Sequence, residues 1–174
     1  MSRNITSFFL CSLLLCVCAF AQDAFAPGSE PSGFRDKQWG DPLSAFAAMN
    51  LKESVPGELT LKKIYSESIP SDMPKSLSER SYRSESDFLQ IDGVNVDEIN
   101  YIFHNDKFSG VLIYGRGEET FVQLKKVCLA KYGTAAMSDS SGPIGGYFWQ
   151  GKKARAELLM AVGGVVILSV ASTQ

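Results

Sequence analysis

Along the chain, hydrophobic positions switch between two spacings. Ile99, Tyr101 and Phe103 recur at every second residue, the pattern of a strand with one buried face. Asn105-Asp106 then suits a tight turn, which predicts a hairpin with Phe103 opposite Phe108, Tyr101 opposite Gly110 and Ile99 opposite Leu112. A shorter hairpin is expected around Asp92-Gly93, where glycine tolerates positive φ. Alternation returns at Ala154, Ala156, Leu158 and Met160, followed by a turn at Gly163-Gly164 and a last strand over 165–170.

Helical spacing appears twice. Phe121, Leu124, Cys128 and Tyr132 form one apolar stripe, with Glu118 and Glu119 at its start, Lys131 near its end and Gly133 as its stop. Leu43, Phe46, Ala47 and Asn50 predict a shorter amphipathic helix, capped by Asp41 and opened by Pro42. Residues 58–68 alternate well enough for a strand. Residues 69–87 carry two prolines with many serines and charges, and read as a long polar loop; a second loop is expected over 134–146.

A weak echo links the halves: YIFHNDKFSGVLI and YFWQGKKARAELL share Tyr, an aromatic two positions on, Lys and two aliphatics at an offset of 46 residues. These patterns predict an α+β fold. Two packed helix-plus-three-strand units, about 34–115 and 116–174, would form antiparallel sheet with helices on one face.

The first residues have a different character. Arg3 precedes an apolar run over 5–17, and Ala19-Phe20-Ala21 provides the small residues of a signal-peptidase site, so residues 1–21 read as a signal peptide cleaved before Gln22. The run is about 13 residues, short of the roughly 20 that a membrane helix needs. No cysteine in it follows the small residue that lipid attachment requires. Residues 22–33, rich in Ala, Pro, Gly and Ser, read as a flexible lead-in to one domain over 34–174. Removing Arg3 from the 17 basic residues leaves 16 against 19 acidic ones. That balance makes no electrostatic case for nucleic acid or an anionic membrane.

Candidate chemistry is sparse. After cleavage His104 and Cys128 stand alone, so no disulfide, metal site or cofactor is expected. Cys128 reads as a buried small hydrophobe and His104 as an exposed turn residue beside Lys107. The segment IYGRGEETF has two glycines of a dinucleotide-binding turn, but Thr120 replaces the third and two glutamates occupy the phosphate position. Two segments carry residue types favoured in protein interfaces: Phe34, Arg35 and Trp39 before the first helix, and Arg80, Tyr82 and Arg83 in the polar loop. Asp87, Asp97 and Glu98 could serve a hydrolase as paired carboxylates.

The stretches GFRDKQWGDPLSAF, INYIFHNDKFSGVLI, KYG and YFWQGKKARAELLM together resemble an uncharacterised family of exported bacterial proteins that open with F-R-x-x-x-W-G and carry a Y-x-F-x-x-x-x-F hairpin. The resemblance runs over about 34–172 and implies no activity; the long 69–87 loop departs from it. The helix and hairpin order is also similar to tandem modules of secreted β-lactamase inhibitor proteins and outer-membrane assembly lipoproteins. The expected function is an exported, periplasmic or extracellular, non-enzymatic binding or cell-envelope accessory protein, acting on another extracytoplasmic protein. The alternative is a small extracytoplasmic hydrolase using carboxylates of the 69–98 region.

Overall fold

A computed structural model describes residues 25–57, 59, 79–138 and 146–174. Its first half holds β1 (Gly33–Phe34), β2 (Lys37–Gln38), a 3-10 helix (Leu43–Met49), β3 (Lys52–Glu53), β4 (Glu79–Arg83), β5 (Gln90–Ile91), β6 (Val94–Asn95), β7 (Glu98–His104) and β8 (Lys107–Arg116). The second half holds α1 (Gly117–Tyr132), β9 (Ala136–Ser138), β10 (Gly146–Gln150), β11 (Ala154–Met160) and β12 (Val165–Ser172).

The hairpin of β7 and β8 turns where the sequence places it. Asn105 and Asp106 both take positive φ, 50° and 60°, the geometry that matches a two-residue turn to strand twist. Phe103 lies opposite Phe108 as expected. Beyond that pair the register departs from expectation: Tyr101 opposes Val111 and Ile99 opposes Ile113. Ser109 is the cause, an extra residue bulged between the Phe103–Phe108 and Ile102–Gly110 pairs, with its hydroxyl donating to the Ile102 carbonyl at 3.1 Å. The bulge swaps which residues of β8 face inward, so Val111 and Ile113 are buried while Leu112 is only half-buried.

The expected α+β arrangement of two helix-plus-three-strand units is not what forms. The fold is mostly β, with eight strands in one antiparallel sheet in the order β3-β4-β7-β8-β12-β11-β10-β9. Three physical reasons account for the difference. β8 and β12 hydrogen-bond along seven residue pairs, from Val165–Arg116 to Ala171–Gly110, which fuses both halves into one sheet. Residues 79–83, expected as loop, form an internal strand between β3 and β7. The expected first helix tightens to a 3-10 helix without a side-chain cap, because the Asp41 carboxylate accepts the Gln38 amide instead. Asn50 closes that helix in the left-handed region, exposed rather than on an apolar stripe. Of the expected strand over 58–68, Leu59 is helical rather than extended; the rest of it, and residues 69–78 of the expected loop, lie outside the described residues.

The helix α1 lies along β8, β11 and β12. Leu124, Cys128 and Tyr132 of its stripe are buried as the spacing predicts. Below it Ala154, Ala156, Leu158, Val166, Leu168, Val170 and Trp149 fill one face of the sheet. On the other half of that face Phe46 meets Tyr101, Phe103 and Phe108 at ring separations of 5.8, 5.0 and 5.0 Å. Residues 25–32 run along the same body. Phe25 packs edge-on against Tyr132 at 5.3 Å, and the Ala26 amide donates to the Tyr132 carbonyl at 2.7 Å. The echo at offset 46 sets β7 against β10 and β8 against β11; β8 occupies the middle of the sheet, and β11 lies one strand further out.

The reverse face is covered at one end by residues 54–57 and 59. Gly57 sits so close to the Tyr114 ring that a Cβ there would stand 2.8 Å from Cε1. Asn100, fully buried, takes hydrogen bonds from Ser54 at 2.9 Å and Ser81 at 3.3 Å on this face. No helix among the described residues is long and apolar enough to cross a membrane.

Candidate binding surface

Arg35 occupies the turn between β1 and β2, with φ of 57°. That conformation swings its side chain back across the sheet end towards residues 87–90. Nη1 donates to Asp87 Oδ1 and, at 3.3 Å, to the Tyr101 hydroxyl; Nη2 donates to the Phe88 carbonyl and, at 3.3 Å, to the Gln90 carbonyl. The Tyr101 hydroxyl in turn donates to Asp87 Oδ2 at 2.8 Å. Burial, reinforced by the Asp87 charge, pushes the Tyr101 phenol well above its ordinary pKa, so it remains a hydrogen-bond donor. The Asp87 side chain is 4 % exposed, and both of its oxygens are engaged. The result is a loop whose backbone is pinned at two carbonyls while the Phe88 side chain remains 68 % exposed.

Next to Phe88, Leu89 turns towards a cavity of about 200 Å³. Leu59, Leu89 and Ile99 form its apolar wall, and Arg83, Glu85, Asp97 and Glu98 contribute ionisable groups. Each carboxylate is already engaged. Glu98 accepts the Gly57 amide at 3.1 Å, the Leu59 amide at 3.0 Å and the Asn100 side-chain amide at 2.7 Å. Asp97 is gripped by Arg116 Nε at 2.9 Å and Nη2 at 3.3 Å. Glu85 pairs with Lys52 at 2.9 Å, and that hydrogen bond lowers its pKa. Arg83 differs: its Nη1 is buried with no hydrogen-bond partner.

Comparison with known proteins returns no matching family model, no matching curated protein and no matching solved structure. The geometry therefore carries the functional argument.

The residues singled out in the sequence divide accordingly. Arg35 joins the Asp87–Tyr101 network, and Arg83 joins Asp97 and Glu98 at the cavity. Phe34 is half-buried, its ring 6.1 Å from Tyr101 and 5.2 Å beneath the Arg35 guanidinium. Trp39 packs against Phe108 at 5.0 Å, and its indole donates to the Pro31 carbonyl at 2.9 Å. Tyr82 is buried edge-on to Phe103 at 5.4 Å. Arg80 lies apart on the surface, 3.4 Å from Asp106. Phe34, Trp39 and Tyr82 thus pack the fold, and Arg35 and Arg83 shape a surface. Sequence reasoning missed Phe88 and Leu89 because neighbours in FLQI look like ordinary strand residues. Among the described residues no cluster of three or more His, Cys, Asp or Glu side chains could hold a metal ion.

Proposed function

We propose that the protein is an exported, non-enzymatic binding or cell-envelope accessory protein whose 87–90 loop contacts another extracytoplasmic protein. The observation that supports this is Phe88, an exposed ring on a backbone fixed by Arg35. A large apolar side chain on an ordered loop loses little conformational freedom on binding, which is what an interface anchor requires. The leader expected over 1–21 and the resemblance to an exported family support this reading. The hydrolase alternative needs a carboxylate available to exchange a proton with substrate. Asp87, Asp97 and Glu98 instead serve as acceptors for structural donors, which gives that alternative less support.

The test is site-specific photo-crosslinking in cells, with the reactive residue at Phe88 and, as control, at Val162, which is equally exposed at 68 %. A discrete adduct from position 88 and none from 162 is the expected result. Equal labelling from both positions, or none, would remove the loop from the interface. Mass measurement of the exported product should place its first residue at Gln22.

A further inference from the structure

We infer that the partner encloses the Phe88 ring in an apolar pocket of its own, reading the shape of the ring and not the backbone of the loop. This rests on the proposed binding function and names the chemistry of the partner. Along 88–90 every carbonyl already has a donor from within the chain. Phe88 accepts Arg35 Nη2 and the Gln90 amide, Leu89 accepts the Val96 amide at 3.0 Å, and Gln90 accepts Arg35 Nη2 at 3.3 Å. Polar side chains beside the ring are paired as well. Gln90 donates to Asn95 at 2.7 Å, and the two Asp87 oxygens accept donors from Arg35 and Tyr101.

Covering a polar group is costly when its hydrogen bonds to water are not replaced. These groups are paired before any partner arrives, so a pocket without donors or acceptors can close over them. What gains from closure is the apolar pair, Phe88 at 68 % exposed and Leu89 at 38 %. The occupied carbonyls also deny an added β-strand its row of acceptors. Charges around the loop cancel in pairs: Arg35 with Asp87, Glu85 with Lys52, Asp92 with Lys131. A lipid surface therefore fits less well, since membrane-binding surfaces carry an excess of basic residues. Arg35 is a positioning residue in this scheme: it fills the Phe88 and Gln90 carbonyls and leaves the ring outermost.

The test has two arms. In the first, the photo-reactive residue p-benzoylphenylalanine replaces Phe88, and a cell extract is irradiated at about 0.1 M and about 1 M sodium chloride. The protein adduct should change in yield by less than about twofold, because salt does not screen an apolar contact. Arg35→Met, with its native fold checked by melting, should lower the yield about tenfold, since loop order and carbonyl pairing are both lost. The second arm needs no partner and uses the parent protein. β-Cyclodextrin, a ring of sugars with an apolar interior of phenyl width, is added to phenylalanine-labelled protein. The Phe88 ring signals, assigned by their loss in Phe88→Ser, should shift saturably in NMR spectra, and linear maltoheptaose should shift none. A fall in adduct yield of about tenfold at high salt would assign an electrostatic interface and overturn the proposal. An unchanged yield in folded Arg35→Met, or no saturable shift with β-cyclodextrin, would overturn it too. Those results leave the binding function standing, whereas an adduct on lipid, or no adduct at all, removes that function and this inference together.

Discussion

Glu30 and Ala154 lie 124 positions apart, and the Glu30 carboxylate accepts the Ala154 amide at 2.9 Å. The same oxygen accepts the Lys153 amide, so one side chain fastens the start of the described chain to the turn between β10 and β11.

That contact predicts an acid-sensitive strap. Hydrogen bonding from the Lys153 amide, with help from Ala154 and the nearby lysines, lowers the Glu30 pKa below its ordinary 4.5. A depressed carboxylate pKa stabilises the fold above the unfolded-state pKa, and that contribution is lost as pH falls through the folded-state value. Glu30→Ala should therefore melt below the parent at neutral pH. The gap should close in acid once the pH has fallen below that lowered folded-state pKa, where both proteins lack the carboxylate. Thermal melts from neutral to acid pH check this; a gap that widens on acidification would contradict it.

His104 and Phe103 are neighbours with opposite expectations. His104 is exposed, opposite Lys107 and Glu79 in the ladders, whereas Phe103 is 1 % exposed among Phe46, Tyr82 and Phe108. Denaturant unfolding should show a cost of about 3 kcal/mol for Phe103→Ala. His104→Ala should change stability by roughly 0.5 kcal/mol or less.

Cys128 should be inert in the native state. Burial pushes its thiol pKa up to about 12, which leaves almost no thiolate at neutral pH. Alkylation monitored by mass should proceed only in denaturant, and rapid native labelling would show that the helix face opens.

Gly57 and Gly28 separate two costs of adding a methyl group. Both have positive φ, 75° and 79°, but only Gly57 faces a ring at close range; nothing lies within 4 Å of a Cβ at Gly28. Gly28→Ala should show the conformational penalty alone, about 1 kcal/mol. Gly57→Ala should lose a further 1–2 kcal/mol, roughly, as Tyr114 is displaced. Equal unfolding midpoints for the two variants would show that the Tyr114 ring yields freely.

Local chemistry was legible in the sequence; long-range pairing was not. Asn105-Asp106 and Asp92-Gly93 mark their turns because few other residue types accept positive φ. The helical stripe ending at Tyr132 and the alternation through Leu158 likewise reflect burial on one side. Ser109 gave no warning of the bulge, since a serine before a glycine suits a regular strand edge equally well. Glu79–Arg83 contains one apolar residue, Tyr82, and becomes a strand because β7 offers it a ladder. Arg35 was recognisable as an interface type, but its acceptor Asp87 lies 52 positions away. Arg83 belongs to a residue type favoured in interfaces, and only its surroundings reveal the unsatisfied nitrogen.

Among the described residues the sheet ends in its shortest strands, β3 with two residues and β9 with three. On β3 these are Lys52 and Glu53, both exposed and charged. Such margins offer a foreign backbone too few consecutive amides and carbonyls to lengthen the sheet. Polymer growth by edge addition is thereby discouraged. A protein that displays the bare phenyl ring of Phe88 can in this way remain dispersed.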